Sequence, residues 1–208
     1  MWLSVLLTIL TGYLLGNLNG AVSMSRLLSN QDVREQGSGN AGLTNFLRMY
    51  GPASALSVVA IDMGKAFLAC MLGRQLLAPF GYAQEGVLIG GLAVNLGHDF
   101  PALLGFRGGK GVLCGITAAL AADWRCALIV IAVFALCLLL TRYVSLSSIL
   151  GSLTFSVTYP LLHRGSLAAM IMGVALGLFI IFMHRSNISR LLKGNERKAT
   201  FSKFHNKK

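Results

Sequence analysis

Long apolar stretches alternate along the chain with short polar segments. They run approximately from Trp2 to Leu28, Ala53 to Leu72, Val87 to Leu104, Val112 to Ala122, Ala127 to Leu140, Leu146 to Leu162 and Leu167 to Met183. A hydrocarbon core about 30 Å thick takes roughly 20 residues of helix per crossing, and lipid offers backbone polar groups no outside partner. The pattern therefore predicts an all-α, polytopic transmembrane helix bundle of about seven spans. Val112–Ala122 and Ala127–Leu140 are short for a crossing. They are expected to be tilted, re-entrant or packed inside the bundle, with about five spans as the alternative. The first run lacks the positive flank of a secretory signal, so it is expected to remain as a helix. No repeat or linker divides residues 1–208, which read as one domain ending in a basic tail, 185–208.

Composition agrees with a lipid solvent, since 55% of residues are hydrophobic and 12% charged. The net charge of +11 raises nucleic acid as a partner, but the basic residues sit between apolar runs without the interleaved aromatics of such a surface, so no nucleic acid is expected. Positive loops stay cytoplasmic. With the amino terminus outside, Arg26, Arg34, Arg48, Arg107, Lys110, Arg142 and the carboxy-terminal tail fall inside, and Arg74, Arg125 and Arg164 outside. The tail residues Lys193, Arg197, Lys198, Lys203, Lys207 and Lys208 are then expected to meet anionic membrane lipids. Cys70, Cys114, Cys126 and Cys137 lack metal-ligand spacing and read as buried fillers. No cofactor or metal is expected.

Three polar clusters on the predicted inner side carry candidate chemistry. The first, Gly37-Ser38-Gly39-Asn40-Ala41-Gly42-Leu43-Thr44-Asn45-Phe46-Leu47-Arg48, spells G-x-G-x-x-G but follows an apolar helix and not a strand, so a dinucleotide site is excluded. Its glycines can turn backbone N–H groups towards an anion, and Arg48 adds a planar fork suited to phosphate. The second runs from Gly97-His98 to Gly108-Gly109-Lys110-Gly111. It falls one residue short of a Walker A loop and lacks the hydroxyl that binds magnesium, which leaves Lys110 as a phosphate hook. In the third, His184 and Asn187 share a helical face with Arg190 one turn on and can orient a hydroxyl. Asp62 and Lys65, three apart within a span, read as a buried structural pair.

In this order, the clusters resemble the cytoplasmic motifs of the acyl-phosphate-dependent glycerol-3-phosphate acyltransferases of bacteria, the PlsY family. The likeness covers Ser38 to Asn45, Asp62 with Lys65, Gly97-His98-x-Phe-Pro into Gly108-Gly109-Lys110-Gly111, Thr141-Arg142-Tyr143-Val144-Ser145-Leu146, and His184 to Glu196. The chain departs from the family pattern at Gly16-Asn17-Leu18-Asn19, at Leu43 and at Val112-Leu113-Cys114, all bordering the expected site.

The resemblance implies transfer of a fatty acyl group from acyl phosphate to glycerol 3-phosphate, giving lysophosphatidic acid and inorganic phosphate, at the cytoplasmic side of the inner membrane. A soluble enzyme that forms acyl phosphate would supply the donor. On this basis Ser38, Lys110, His184 and Asn187 are the expected catalytic residues. Gly39, Asn40, Asn45, Arg48, His98, Gly108, Gly109, Ser145 and Arg185 are expected to bind substrate. His184, His98 or a substrate phosphate is the expected base, and a covalent acyl-Ser38 is the mechanistic alternative. Another phosphorylated polyol as acceptor, or transport of a phosphorylated solute, are the alternative functions.

Overall fold

The structure is a computed structural model, and residues 1–199 are described; Lys203, Lys207 and Lys208 lie outside the described residues. Every apolar run is helical. The helices are α1 (Trp2–Asn17), α2 (Gly20–Ser29), α3 (Leu43–Leu77), α4 (Ala83–Asp99), α5 (Val112–Ala122), α6 (Trp124–Thr141), α7 (Val144–Leu162), α8 (Leu167–Met183) and α9 (Arg185–Leu192). No strand occurs among the described residues.

By length and composition, 5 helical segments can cross a membrane, or 6 when α8 and α9, bent by 56°, count as one. The expectation for the two short runs divides. Helix α5 rises about 16 Å at 1.5 Å per residue, roughly half a hydrocarbon core. It buries Cys114, Gly115, Thr117, Ala118 and Ala119, so it is packed inside the bundle. Helix α6 is neither short nor internal. Asp123 accepts from the Arg125 backbone N–H at 2.8 Å, which starts the helix early enough to reach 18 residues, and Leu128, Ile131, Leu136, Leu139 and Leu140 are exposed for lipid. The four cysteines are free and buried.

The first apolar run is two helices, because Leu18 turns extended between α1 and α2. A break within a span strands backbone groups on both sides. Here the buried pair satisfies them: Lys65 Nζ donates to the carbonyls of Gly16 and Leu18, and Asp62 Oδ1 accepts from the Gly20 N–H at 3.1 Å. The cation thus meets the carboxy end of α1 and the carboxylate the amino end of α2, the signs that the helix dipoles favour. The two side chains lie 2.9 Å apart. A second break falls in α3, where Gly51 takes φ 81° and Pro52 follows. Pro has no N–H to lose in a first helical turn, so the chain turns there, and residues 43–50 form a separate segment that carries Asn45 and Arg48.

Small residues let α3 and α4 touch backbone to backbone. A Cβ on Gly73 would sit 2.1 Å from the Gly86 carbonyl oxygen, and one on Gly86 2.2 Å from that of Gly73. The connecting segments gather at two ends of the bundle. At one end, Gln84 Nε2 donates to the Ala122 carbonyl and to the Tyr159 hydroxyl. His163 meets Asp123 at 2.8 Å there, and Ser166 donates to Glu85. The predicted inner loops meet at the opposite end.

Candidate active site

The first loop owes its shape to Asn45. Its amide donates to the carbonyls of Val33 and Gln36, at 3.0 Å each, and its oxygen accepts from the Ser38 N–H at 2.8 Å. Both donors are spent inside the loop, so Asn45 is a positioning residue and the expectation that it clamps substrate is revised. Gly37 and Gly39 take φ of 62° and 73°, left-handed turns that favour glycine. Arg34 ties this loop to the next, donating to the carbonyls of Leu104 at 2.7 Å and Arg107 at 3.0 Å. It also hydrogen-bonds Asp32, whose carboxyl it holds well below the usual carboxylate range.

The Gly-Gly-Lys-Gly turn is also built differently from its expected role. The N–H groups of Gly108 and Gly109 donate to the carbonyls of Asp99 and His98, both at 3.1 Å, closing the carboxy end of α4. They are unavailable to phosphate, and these glycines are required by space: a Cβ on Gly108 would lie 2.0 Å from the His98 carbonyl oxygen, and one on Gly109 2.2 Å from His98 Nε2. Gly111, at φ +66°, faces Asn95 Oδ1 at 2.1 Å from its would-be Cβ. Gly111→Ala is expected to displace Lys110 and lower turnover at least about tenfold, combining a left-handed backbone with a clash. Gly105→Ala is the control, because Gly105 shares the backbone region at φ +67° but has nothing within 4 Å. Steady-state rates of the two purified variants check this contrast.

Lys110 emerges from the turn into a chain of polar contacts. Its Nζ donates to Asn187 Oδ1 at 2.6 Å, Asn187 Nδ2 donates to Glu196 Oε1 at 2.6 Å, and Arg190 Nε donates to Glu196 Oε2 at 2.7 Å. Asn187 is therefore the crossbar that aims Lys110, with one of its two amide N–H groups not used in this chain of contacts. Burial, reinforced by the Arg190 charge, brings the Lys110 ammonium down to about 8. Glu196 carried no expected role; the signal was its standing as the one carboxylate in the basic stretch from Arg185 to Lys198. The described part of the tail runs back to the site, with the Ala199 N–H on the Arg142 carbonyl at 2.7 Å and Arg197 in the cavity lining.

The histidines separate cleanly. His98 Nδ1 lies 2.9 Å from Lys65 Nζ, whose three N–H groups it shares with Asp62 and the Gly16 and Leu18 carbonyls, and its Nε2 faces Gly109. His98 is thereby held in the framework at the edge of the cavity. His184 Nδ1 lies 2.8 Å from the Ile180 carbonyl, which puts the proton on Nδ1 and leaves the Nε2 lone pair free.

Ser38, Gly39, Asn40, Asn45, Arg48, His98, Lys110, Ser145, His184 and Asn187 border one cavity of about 810 Å³. Arg190, Glu196 and Arg197 join them, and the Ser145 hydroxyl is buried beside the Glu196 carboxylate. Gly108 and Arg185 do not line it; the Arg185 guanidinium packs 4.8 Å over the Phe182 ring instead. From this cationic mouth the same cavity continues between α5, α6, α7 and α8 along Leu113, Ile116, Phe134, Gly151, Phe155 and Leu176. Three of the departures from the family pattern fall on structure. Asn17 accepts from the Leu103 N–H at 3.0 Å, Asn19 donates to the Ala41 carbonyl at 3.0 Å, and Cys114 faces the Asp62 carbonyl. Leu43 and Leu113 line the cavity.

A family model described as glycerol-3-phosphate acyltransferase matches residues 6–194. A glycerol-3-phosphate acyltransferase of Thermoanaerobacter sp. (strain X514) is 40% identical over 192 residues, 92% of this chain and 94% of the relative. One of Synechococcus sp. (strain CC9902) is 38% identical over 196 residues, 94% of this chain and 96% of the relative. The crystal structure of PlsY (YgiH), an integral membrane glycerol 3-phosphate acyltransferase, in its glycerol 3-phosphate form is similar with a TM-score of 0.84 at 31% identity, over 95% of this chain and 96% of that one. Its lysphosphatidic acid form gives a TM-score of 0.81 at 30% identity, with the same coverage. A helical membrane bundle with such relatives is an integral membrane acyltransferase. The chain belongs to the glycerol-3-phosphate acyltransferase family, the PlsY family.

Proposed function

We propose that the chain transfers a fatty acyl group from an acyl phosphate to glycerol 3-phosphate, the first acylation of phospholipid synthesis. One observation carries this reading: a single cavity joins the cations Arg48, Lys110, Arg190 and Arg197 and the hydroxyls of Ser38 and Ser145 to an apolar limb between helices. Two phosphates and one hydrocarbon tail are the cargo that such a surface suits. The solved relative in glycerol 3-phosphate and lysphosphatidic acid forms supports the same acceptor and product.

In the proposed step the acceptor hydroxyl oxygen attacks the acyl carbonyl carbon, forming the ester. The carbon–oxygen bond to phosphate breaks, and inorganic phosphate leaves with the electron pair. The hydroxyl proton passes to His184 Nε2 or to the departing phosphate. Lys110 and Ser38 hold phosphate oxygens, Arg48 clamps the acceptor phosphate, and Ser145 orients the hydroxyl. Because a mixed anhydride is already activated, direct attack suffices and no acyl-enzyme is required. The loops of this end hold most of the basic residues, which supports a cytoplasmic mouth, an outside amino terminus, and donor supply by a soluble acyl-phosphate-forming enzyme.

Purified protein in detergent, given acyl phosphate and glycerol 3-phosphate, is expected to release lysophosphatidic acid and inorganic phosphate one for one. A transporter would turn over nothing without a gradient. Absence of acceptor-dependent product sinks the reading, and label retained on Ser38 without acceptor would replace direct attack by a covalent route.

A further inference from the structure

The apolar limb has a floor. It runs from the mouth at Ser145 down α7, and the last residues that line it are Ala119 on α5, Val130 on α6, Phe155 on α7 and Leu176 on α8. These four residues are buried, at 2%, 9%, 3% and 1% exposure, and belong to one contiguous cluster. Phe155 is held from below. Its ring lies 5.3 Å from that of Tyr159, and Tyr159 is fully buried. The Tyr159 ring stacks in turn on His163 at 4.5 Å, its hydroxyl accepts from Gln84 at 2.8 Å, and a Cβ on Gly173 would meet the ring at 2.4 Å. An aromatic column at positions 155, 159 and 163 therefore props the floor against the far end of the bundle, where Asp123 anchors His163 at 2.8 Å.

We infer that Phe155, backed by Tyr159 and facing Ala119, Val130 and Leu176, is a ruler that sets the acyl-chain length the enzyme prefers. The inference rests on the acyl-transfer reading above. From Ser145 to Phe155 the helix rises about 15 Å at 1.5 Å per residue. A zigzag hydrocarbon chain advances about 1.3 Å per carbon, given carbon–carbon bonds near 1.5 Å at tetrahedral angles. The limb down to Phe155 thus holds about twelve carbons below the mouth. Each carbon that packs inside trades lipid or detergent contacts for close-packed protein contacts, so discrimination between lengths falls mainly on the chain that overruns the floor. A chain that meets the floor must bend aside and gains nothing further. Interior packing resists deformation at the scale of one methylene, so the limit should be felt within a carbon or two.

The test uses a series of acyl phosphates from eight to eighteen carbons, with lysophosphatidic acids of the same lengths as a binding series, on wild type and two variants. Phe155→Ala removes the floor down to Tyr159, and the optimum is expected to lengthen by about two to four carbons, since the ring spans roughly 5 Å. Ala119→Leu raises the floor from the opposite wall, and the optimum is expected to shorten by about two carbons. Opposite shifts are not a consequence of general destabilisation, which scales all lengths together. An optimum that stays where it was in both variants, by turnover and by binding, overturns the ruler. If no acyl phosphate is turned over at any length yet the binding optimum still moves, the donor reading fails and the ruler stands.

Discussion

Replacing Lys110 by alanine is expected to lower kcat/KM by about tenfold to a hundredfold while the protein still folds. A desolvated, charged hydrogen bond is worth about 1.5 to 3 kcal/mol, and each 1.4 kcal/mol is a factor of ten in rate. Lys110 is mostly buried beneath Arg190, and its ammonium titrates near 8, so the cation is present below that pH and lost as pH rises through it. If the cation is what meets phosphate, kcat/KM, which reports the free enzyme, falls along an alkaline limb near 8. Lys110→Arg moves that limb upward, because a guanidinium does not titrate in the range. The measurement is kcat/KM against pH for wild type, Lys110→Ala and Lys110→Arg. An unmoved limb in Lys110→Arg assigns it elsewhere, and full activity in Lys110→Ala removes Lys110 from the chemistry. Arg48→Ala is likewise expected to cost at least about tenfold, read mainly as weaker acceptor saturation.

Lys65→Met is expected to destabilise the protein by about 3 to 5 kcal/mol, because it leaves Asp62 buried and unpaired. The loss extends beyond the pair: Gly16 and Leu18 lose the donor that satisfies the end of α1, and His98 loses its hydrogen-bond partner. Thermal unfolding in detergent should show a midpoint lower by about 10 °C, taking roughly 2 to 4 °C per kcal/mol for a chain of this size. Lys65→Met combined with Asp62→Asn should recover part of that shift, since the isolated carboxylate is gone. A variant that melts like wild type but turns over nothing would falsify the framework role and return Lys65 to the chemistry.

The site was legible as far as it consists of polar residues in a chain that must be apolar. Lys110, Arg48, Ser38 and His184 stand out because each costs free energy near lipid unless function or a partner repays it, and the cavity brings them together. Glu196 was visible only as the one carboxylate in a basic stretch. Its meaning lies in a contact with Asn187, which in turn holds Lys110 across 77 positions of sequence, and that link is not written in the stretch itself. Gly108 and Gly109 were misleading in the opposite way. A glycine beside a lysine suits a phosphate loop, yet it equally marks a place where backbone packs on backbone, and only the distance to His98 decides between the two.

What the order of residues alone determined is the solvent and the ends. A polypeptide in lipid must close its own hydrogen bonds, so apolar runs become helices and their polar connectors lie at the surfaces. What only the tertiary structure decided is which helices face lipid and what each polar group is for. The run of α5 packs inside because small residues let α3, α4, α6, α7 and α8 close on it, whereas that of α6 gains length from a cap at Asp123. The break at Leu18 finds its partners two helices away in Asp62 and Lys65. Phe155 is an apolar residue like many in this chain until three other helices end their cavity lining beside it. Hydrophobic patterning encodes the helix and the layer; the roles come from side chains distant in sequence meeting at fixed distances, and that information exists only after folding.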